Sequence, residues 1–427
     1  MQNNLFGSDL HHQIKNELDL IDADWNIPPE YPDLTGYSEV AVDLETFDPN
    51  IKTLGPGWAR KDGHIIGIAV AAGEYKGYFP IRHENSHNLD PKFTLRWLKK
   101  QMSVPDMNVI MHNATYDAGW MRAEGIEIKG RIIDTMITGA LVNENRWSFG
   151  LDAMARDYVS LRKNERLLQA AAKEWGVDPK SGMYKLPPKY VGAYAEQDAV
   201  ATLKLWQALK VKLEEEELWH IWDIENGLIR CMLAMRTNGV RVDLDKADQN
   251  KKLIRKQAKL LRGKIEKEAG MEVDIWASAS IQKMFDKMGM EYLTTEKGAP
   301  SFTKSFLNEH HGRIHTELHS TRRDEGGTVT GRFSSSNPNL QQIPARDPDI
   351  KKLIRGLFIP EEGMQWGSFD YSSQEPRLLV HFAASVPSSI RSHVVDDVVD
   401  EFNRGDVDLH QMVADLAGIT RKQAKTV

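Results

Sequence analysis

The sequence predicts a mixed α/β fold, in which helices cover a sheet, followed by a helical region and a loop-rich segment. From Val40 to about Leu209, short apolar runs of strand length alternate with stretches of helical spacing, a pattern typical of a sheet flanked by helices. Apolar residues then recur with a helical period over residues 251–270, and from Thr328 the composition becomes rich in Gly, Ser, Asn and Pro. With 427 residues, the chain has room for two or three domains.

The bulk composition excludes several classes of protein. A single cysteine, Cys231, rules out an intramolecular disulfide framework, and its place in a helix-like run predicts a buried thiol. No apolar stretch reaches the ~20 residues that span a bilayer. The polar N-terminus lacks a secretory signal pattern, so we expect a cytoplasmic protein without a membrane partner. The net charge of −6 does not indicate nucleic-acid binding, but phosphate contacts depend on where basic residues cluster.

The elements of the first half follow in order along the chain. Residues 1–36 are polar and punctuated by prolines, and we interpret them as a lead-in. The segments with strand character are EVAVDLE from residue 39, IIGIAVAAG from 65, GYFPI from 77 and NVIMHN from 108. The segments with helical spacing are FTLRWLKKQM from 93, TYDAGWMRAEG from 115, DTMITGALVN from 134 and DAVATLKLWQALKVKLEEEEL from 198.

The second half begins with a long predicted helix that carries a basic stripe. Its apolar positions recur with helical period at Ile254, Ala258, Leu261 and Ile265, and another face carries Lys252, Arg255, Lys259 and Arg262. Such a stripe is either a solvated helix face or a surface that follows DNA phosphates. The segment TVTGRFSSSNPNLQQIPARD from residue 328 is expected to be largely loop, followed by the strand-like MQWGSFDYSS from residue 364 and further helices.

The strand that begins at residue 39 supplies the first candidate catalytic residues. Asp43 and Glu45 lie two apart, so their side chains point to one face of the sheet. The chain has another D-x-E pair, Asp223 and Glu225, in a helical stretch where the two side chains diverge. The pattern alone is therefore weak, and a purely structural role for Asp43 and Glu45 stays open at this point.

Two further pairs, each four residues apart, follow in HNATYDAGW and YAEQD. Asn113 and Asp117 form the first pair, and Tyr194 and Asp198 form the second, which in a helix would share one face. Each has a structural alternative, a helix N-cap for Asn113 and a surface acid for Asp198. The ordered series D-x-E, N-x-x-Y-D and Y-x-x-x-D resembles the three motifs of the DnaQ-like 3′→5′ exonucleases found in proofreading DNA polymerases.

This resemblance implies an RNase H-like exonuclease domain that binds the 3′ end of single-stranded DNA, with Asn113 as a candidate DNA contact. Clustered carboxylates repel each other at neutral pH, so cations must neutralise them; Mg²⁺ is expected, with Mn²⁺ as the alternative. Two ions ~3.5–4 Å apart can activate a water molecule and stabilise the leaving 3′ oxygen.

The family's arrangement also implies a role for each remaining residue of the series. By resemblance, Asp43, Glu45 and Asp198 hold the first ion, and Asp43 bridges to the second. Asp117 acts through the water shell of the second ion, and Tyr194 helps to orient the attacking water. The resemblance thus predicts two divalent ions held by four carboxylates.

A second resemblance begins with IENGLIRCMLAMRTNGVRVDLD and WASASIQKMFDKMGM, which are similar to the start of the polymerase region and to the thumb-end segment of family A DNA polymerases. TGRFSSSNPNLQQIPARD is close to the family signature T-G-R-x-S-S-x-x-P-N-L-Q-x-I-P. The resemblance makes Arg332, Asn339 and Gln341 candidate contacts to the primer–template, because such side chains suit groove edges and backbone oxygens.

The segment DYSSQEPRLLVH resembles a motif that family A writes approximately as D-Y-S-Q-I-E-L-R. By this match, Asp370 is the metal-binding aspartate, Glu375 screens the sugar 2′ position and Arg377 is the motif's arginine. Ser373, Gln374 and Pro376 depart from the pattern. A proline removes a backbone donor and restricts its neighbours, so the local geometry here is less secure than the place of Asp370.

The final segment, DLHQMVADLAGITRKQAKTV, resembles the approach to the fingers helix of the same family. His410, Arg421 and Lys425 become candidate contacts to substrate, and the last two share a helix face at a spacing of four. The later His-Asp-Glu segment, which supplies a second metal-binding aspartate, does not occur in these 427 residues. Because two-metal polymerisation needs both acids, we expect no primer extension by this polypeptide alone.

Together the two resemblances cover about residues 38–427 and predict a bacteriophage-type replicative polymerase of family A, acting in the host cytoplasm. The predicted domains are a lead-in at 1–36, the exonuclease at 37–215 and a partial right-hand polymerase at 216–427, with a helical thumb at about 246–325, part of the palm at about 326–385 and the start of the fingers at about 386–427.

Several alternatives concern how such a chain works. We expect a split or interrupted gene whose second polypeptide supplies the rest of the fingers and palm, and an expressed fragment is the alternative. The expected ligands are a DNA primer–template and, once the site is completed, dNTPs. Two other functional classes stay open: a stand-alone exonuclease whose polymerase region grips DNA, and a non-catalytic DNA-binding or assembly module.

Overall fold

The computed structural model of the protein describes most of the chain from residue 24 onward. Outside the described residues lie 1–23, 85, 276, 290–306, 309–311, 321–327, 329–330, 346, 372–373, 388, 406–407, 409–410, 412–413, 416 and 425–427. The chain divides into two compact units, Met1–Ile359 and Pro360–Val427.

A five-stranded mixed sheet forms the centre of the first unit. Its strands are β1 (Glu39–Phe47), β2 (His64–Ala72), β3 (Tyr75–Pro80), β4 (Asn108–Met111) and β5 (Arg131–Asp134). They lie in the order β3-β2-β1-β4-β5. β2 pairs antiparallel with β1 and β3, whereas β4 pairs parallel with β1 and β5. The predicted α/β fold class is confirmed, although sequence analysis missed β5.

Eight helices accompany this sheet within the described residues. They are α1 (Ile51–Leu54), α2 (Pro91–Gln101), α3 (Ala114–Ala123), α4 (Thr135–Val142), α5 (Leu151–Val159), α6 (Arg166–Glu174), α7 (Pro188–Glu215) and α8 (Trp219–Asn238). The predicted helices from residues 93, 115, 134 and 198 correspond to α2, α3, α4 and α7.

The two faces of the sheet pack into different cores, and β1 contributes to both because its side chains alternate. Val42 and Leu44 enter one core together with residues of α2, α3 and α8. Ala41 enters the other, where Ala195 and Ala199 of α7 cover the sheet. Asp43 and Glu45 share the parity of Ala41, so they lie on the face that α7 covers.

The rest of the first unit contains long helices and short strands. It comprises β6 (Val240–Arg241), α9 (Leu244–Ala269), α10 (Ser278–Met288), β7 (Leu307–Asn308), β8 (Arg313–Ile314), β9 (Glu317–His319), β10 (Ser334–Ser336) and α11 (Pro348–Arg355). The predicted basic helix is therefore present as α9, and most of its length is exposed. Strands β9 and β10 pair antiparallel, and the described residues of the loop-rich segment outside β10 and a short 3-10 turn are irregular.

The elements named in the second unit are helices, and its described residues 360–371 are irregular. Its helices are α12 (Gln374–Ala384), α13 (His393–Arg404) and α14 (Arg421–Ala424). The prediction of a strand from residue 364 is wrong for the described residues 364–371, which form no sheet pairing. A strand needs a neighbour to accept its backbone hydrogen bonds, and the named elements of this unit are all helices.

Two further observations concern burial. The prediction that Cys231 is buried is wrong, because the thiol is exposed. The buried side of α8 is formed instead by positions spaced three or four apart, including Trp222, Asn226 and Ile229. Of the helices in the described part of the chain, none combines the length and apolar character required to cross a bilayer.

Candidate functional site

Strand β1 presents Asp43 and Glu45 toward α7, next to small residues of the neighbouring strand. Asp43 lies opposite Ala69 and Glu45 opposite Gly67 in β2. A side chain at Gly67 would collide with Tyr78, since its Cβ would lie 2.0 Å from the tyrosine hydroxyl. The absence of a side chain at Gly67 thus leaves room for Tyr78 on this face of the sheet.

Helix α7 brings Tyr194 and Asp198 to the same place. The two residues are one helical turn apart and flank Ala195, which is buried against the sheet. Asp198 is only 4% exposed, and its carboxylate interacts electrostatically with Tyr194. The i,i+4 spacing seen in the sequence therefore puts both groups on the face of α7 that covers β1.

Helix α3 supplies the fourth carboxylate. Asp117 is buried, and its Oδ1 accepts a hydrogen bond of 2.9 Å from the backbone amide of Leu44. Leu44 stands between Asp43 and Glu45, so this bond ties α3 to the part of β1 that carries the other two acids. The carboxylates of Asp43, Glu45, Asp117 and Asp198 interact electrostatically as one cluster.

Asn113 occupies the N-cap position of α3 in a left-handed conformation with φ of 63°, but its side chain does not cap the helix. Asp134, which sequence analysis missed, performs that role from the end of β5. Its carboxylate accepts hydrogen bonds from the amides of Asn113 at 3.0 Å and Ala114 at 2.8 Å, and it also caps α4 through Met136 at 2.8 Å. Its sequence signal was an acid between the apolar pair Ile132 and Ile133 and a helical segment.

Burial and mutual repulsion disfavour the charged forms of the four acids. Burial, reinforced by the charge of Asp198, raises the pKa of Asp43 to about 7. The pKa values of Glu45 and Asp117 are raised well above their usual range by burial and then by Asp43. Burial also raises the pKa of Asp198, although a nearby lysine opposes that effect. Such a cluster requires positive charge to ionise fully at neutral pH.

The lysine is Lys163, which lies in the loop between α5 and α6. Its Nζ is 2.7 Å from Asp198 Oδ2 and 5.2 Å from the centre of the Tyr194 ring. Sequence analysis missed this residue because the polar loop SLRKNE carries no pattern that distinguishes one basic residue from another. The structure thus adds a cation to the predicted group of acids.

Two observations indicate that the residues of this site are suited to bind a divalent ion. Asp198 Oδ1 is buried and has no hydrogen-bond partner, so one ligand atom is available, and the donor set consists of oxygens, which Mg²⁺ and Mn²⁺ prefer. Among the described residues, no three His, Cys, Asp or Glu side chains converge closely enough to enclose an ion as they stand. The Lys163 ammonium interacts instead with Asp198, Asp43 and Glu45.

The candidate primer–template contacts of the first unit lie together in one loop. Asn339 accepts hydrogen bonds from the Gln341 amide and the Ser335 hydroxyl, both at 3.0 Å. The Gln341 side chain donates to the Phe333 carbonyl at 2.9 Å. Arg332 and Gln341 are exposed. The loop therefore holds its own shape and leaves these side chains on the surface.

The candidate residues of the second unit are arranged differently. Asp370 is exposed in the irregular segment, Glu375 is exposed in the first turn of α12, and Arg377 stacks over Phe402 of α13 at 4.9 Å. Pro376 also lies in the first turn, where backbone N–H groups have no helical partner, so the departure from the family motif is compatible with this helix.

The final segment is described only in part. Arg421 Nε lies 2.6 Å from Asp408 Oδ2. His410 and Lys425 lie outside the described residues.

Comparison with known proteins supports the two family resemblances, one in each half of the chain. The family profile for 3′-5′ exonuclease matches residues 31–214, and the profile for DNA polymerase family A matches residues 234–427. A DNA-directed DNA polymerase of Pseudomonas phage M6 is 32% identical, over 95% of this chain and 69% of its own length. The DNA polymerase DpoZ of Vibrio phage phiVC8 is 26% identical, over 91% of this chain and 68% of its own length.

The fold has a counterpart among solved structures, the POL domain of Pol1 from M. smegmatis in complex with DNA primer-template and dNTP. The TM-score is 0.59 at 18% identity, and the match covers 99% of this chain and 74% of that one. The two family profiles indicate a nucleic-acid-processing enzyme with an exonuclease domain. The chain belongs to the family A DNA polymerases, as the sequence motifs predicted, and its relatives include bacteriophage enzymes. Enzymes of this kind generally use divalent metal ions.

Proposed function

We propose that residues 37–215 form a metal-dependent 3′→5′ exonuclease that removes nucleotides from the 3′ end of single-stranded or frayed DNA. The observation that carries this proposal is that β1, α3 and α7 bring four acids and Tyr194 close enough to interact electrostatically. In a two-metal site, bound ions would activate water and stabilise the leaving 3′ oxygen. Asp43, Glu45 and Asp198 would hold the first ion, with Asp43 shared by the second.

The remaining residues of the site orient these groups. The hydrogen bond from the Leu44 amide to Asp117 holds α3 against β1. Asp117 would then act through the water shell of the second ion. Tyr194, one helical turn before Asp198 on α7, would help to orient the attacking water. Asn113, at the start of α3, is a proposed DNA contact. A 3′ end would be held by stacking and by backbone contacts.

We further propose that residues 216–427 contribute the thumb, part of the palm and the start of the fingers of a DNA polymerase. In this assignment Asp370 holds metal, and Arg332, Asn339, Gln341, Glu375, Arg377, His410, Arg421 and Lys425 contact primer–template or dNTP. DNA synthesis would also need the polypeptide segment that carries the second catalytic aspartate.

Apolar side chains of the second unit support the idea that further polypeptide covers this region. Trp366, Phe369, Leu379 and Phe382 are all exposed, Phe369 to 97%. Several large apolar side chains exposed within one short region are typical of an interaction face.

The exonuclease is tested by release of nucleotides from a 5′-labelled single-stranded oligonucleotide with Mg²⁺. We expect the wild type to shorten the oligonucleotide and Asp43→Ala to lose that activity. Asp223→Ala is the matched control, because Asp223 belongs to the other D-x-E pair and forms only a half-exposed ion pair with Arg131 at 3.2 Å. Retention of full activity by Asp43→Ala would refute the assignment.

A further inference from the structure

The loop between α5 and α6, which belongs to none of the sequence motifs, places the Lys163 ammonium at the carboxylate site. Lys163 belongs to residues 160–165, which connect α5 to α6 without regular structure. Its side chain is 17% exposed, and that of its partner Asp198 is 6% exposed. A contact of 2.7 Å between two groups this well shielded from water is stronger than a surface ion pair.

The loop is held in place by the residue that precedes Asp198. The Gln197 side-chain amide donates to the Arg162 carbonyl at 2.8 Å, and its side-chain oxygen accepts from the Asn164 amide at 2.9 Å. These two hydrogen bonds hold the backbone in place on either side of Lys163. Since Gln197 and Asp198 are adjacent on α7, the same turn of helix fixes both the lysine and the carboxylate that it meets.

The electrostatic environment of Lys163 extends beyond Asp198. The Lys163 ammonium is attracted to Asp198 and also to Asp43 and Glu45. It therefore interacts with three of the four acids. It occupies one oxygen of Asp198, while the other oxygen, Oδ1, has no partner.

We propose that Lys163 is a built-in counter-cation of the carboxylate site, which stabilises the acids in metal-free protein and must leave Asp198 Oδ2 before that atom can bind a metal ion. This inference rests on the proposed exonuclease function, because it treats Asp198 as a metal ligand. Lys163 is a positioning residue in this account: it sets the affinity for metal and keeps the acids together until metal arrives.

The test measures Mn²⁺ binding to the whole chain without DNA, by the electron paramagnetic resonance signal of free Mn²⁺. Lys163→Met removes the charge and keeps the length of the side chain. We expect it to bind Mn²⁺ roughly tenfold more tightly, because a competing charge within about 4 Å is lost. We also expect the thermal midpoint of the metal-free protein to fall by about 4 °C. Lys163→Arg retains the charge and should stay close to wild type in both measurements.

Two further variants separate this role from general effects of losing a lysine. Lys210→Met is the matched control, since Lys210 also pairs with a carboxylate, Glu39 at 2.8 Å, and lies over the ring of Trp206 at 5.9 Å. It should leave Mn²⁺ affinity unchanged. Gln197→Leu frees the loop without removing a charge and should tighten Mn²⁺ binding in the same direction as Lys163→Met, which keeps the test decisive if Lys163→Met does not fold.

The outcomes distinguish this inference from the proposed function. Equal or weaker Mn²⁺ binding by both Lys163→Met and Gln197→Leu, or an unchanged midpoint of metal-free Lys163→Met, would overturn the counter-cation role. If wild type and Asp43→Ala bind Mn²⁺ equally, the metal site itself is misassigned and the proposed function falls as well.

Discussion

The two groups of candidate catalytic residues differ in how far the chain itself surrounds them. In the first unit, Asp43 and Glu45 lie on a central strand, and α3 and α7 bring Asp117 and Asp198 against that strand. In the second unit, Asp370 lies exposed in an irregular segment. Both groups were located by family motifs, although the motif around Asp370 departs from the family pattern at Ser373, Gln374 and Pro376. The difference teaches that a motif specifies residue types, whereas a site also requires the neighbouring elements that hold those residues in place.

The largest expected effect separates the two groups by activity. Asp198→Asn removes a charge from the assembled site and should lower the exonuclease rate by at least about 100-fold. Asp370→Asn should leave that rate unchanged, because Asp370 belongs to the other group. Single-turnover shortening of a labelled oligonucleotide measures both variants. A comparable loss in Asp370→Asn would mean that the two groups do not act separately.

The next effect concerns the support of the assembled site. Asp134→Ala leaves the amides of Asn113, Ala114 and Met136 without the carboxylate that caps them, and we expect a loss of about 3 kcal/mol in the free energy of unfolding. Urea denaturation measures this loss. Asp178→Ala is the control, because Asp178 also accepts backbone hydrogen bonds, from Lys180 and Ser181, but is exposed. An equally large loss in Asp178→Ala would contradict the importance of burial at Asp134.

A smaller effect depends on pH and tests the burial of His83, which contacts Tyr78 of β3. His83 is buried, and its ring contacts the Tyr78 hydroxyl and the Leu186 carbonyl, both at 2.7 Å. Burial lowers the pKa of His83 to about 4. Folded protein therefore keeps His83 neutral while the unfolded chain binds a proton below pH ~6.5, so stability falls as the pH drops from there toward 4.

His83→Gln should lack this dependence. Between pH 7.5 and pH 5, wild type should lose about 2 kcal/mol of stability that the variant does not lose. Urea denaturation of both proteins at the two pH values gives the difference. The same pH dependence in both would show that His83 is not held neutral in the folded state.

The smallest effect is expected in the second unit. Arg421 and Asp408 form an ion pair in which both side chains are more than 40% exposed, at 46% and 42%. Arg421→Ala should therefore change the free energy of unfolding by less than about 0.5 kcal/mol. Thermal denaturation checks this value. A loss as large as that expected for Asp134→Ala would mean that this ion pair is better shielded from water than its exposure indicates.

Sequence reasoning succeeded where local spacing determines which side chains share a face. The period of two in β1 put Asp43 and Glu45 together, and the period of the helix put Tyr194 and Asp198 together. It failed where a role depends on residues far away in the chain. Lys163 is notable only because Asp198, 35 positions later, meets it in space.

The failure at the strand predicted from residue 364 has a different physical cause. Alternating apolar residues favour an extended chain, but strand pairing also needs an adjacent strand, and the named elements of the second unit are helices. The local pattern therefore predicted a strand at residues 364–371, where the structure has no regular element.

The most direct test of the contrast between the two groups uses a 5′-labelled primer with a mismatched 3′ end on a template, incubated with Mg²⁺ and with or without dNTPs. The assembled site predicts shortening of the primer in both reactions. The exposed Asp370, without a second catalytic aspartate in these 427 residues, predicts no extension when dNTPs are added. Extension of the primer by this polypeptide alone would contradict the account of the polymerase region, and absence of shortening would contradict the account of the exonuclease.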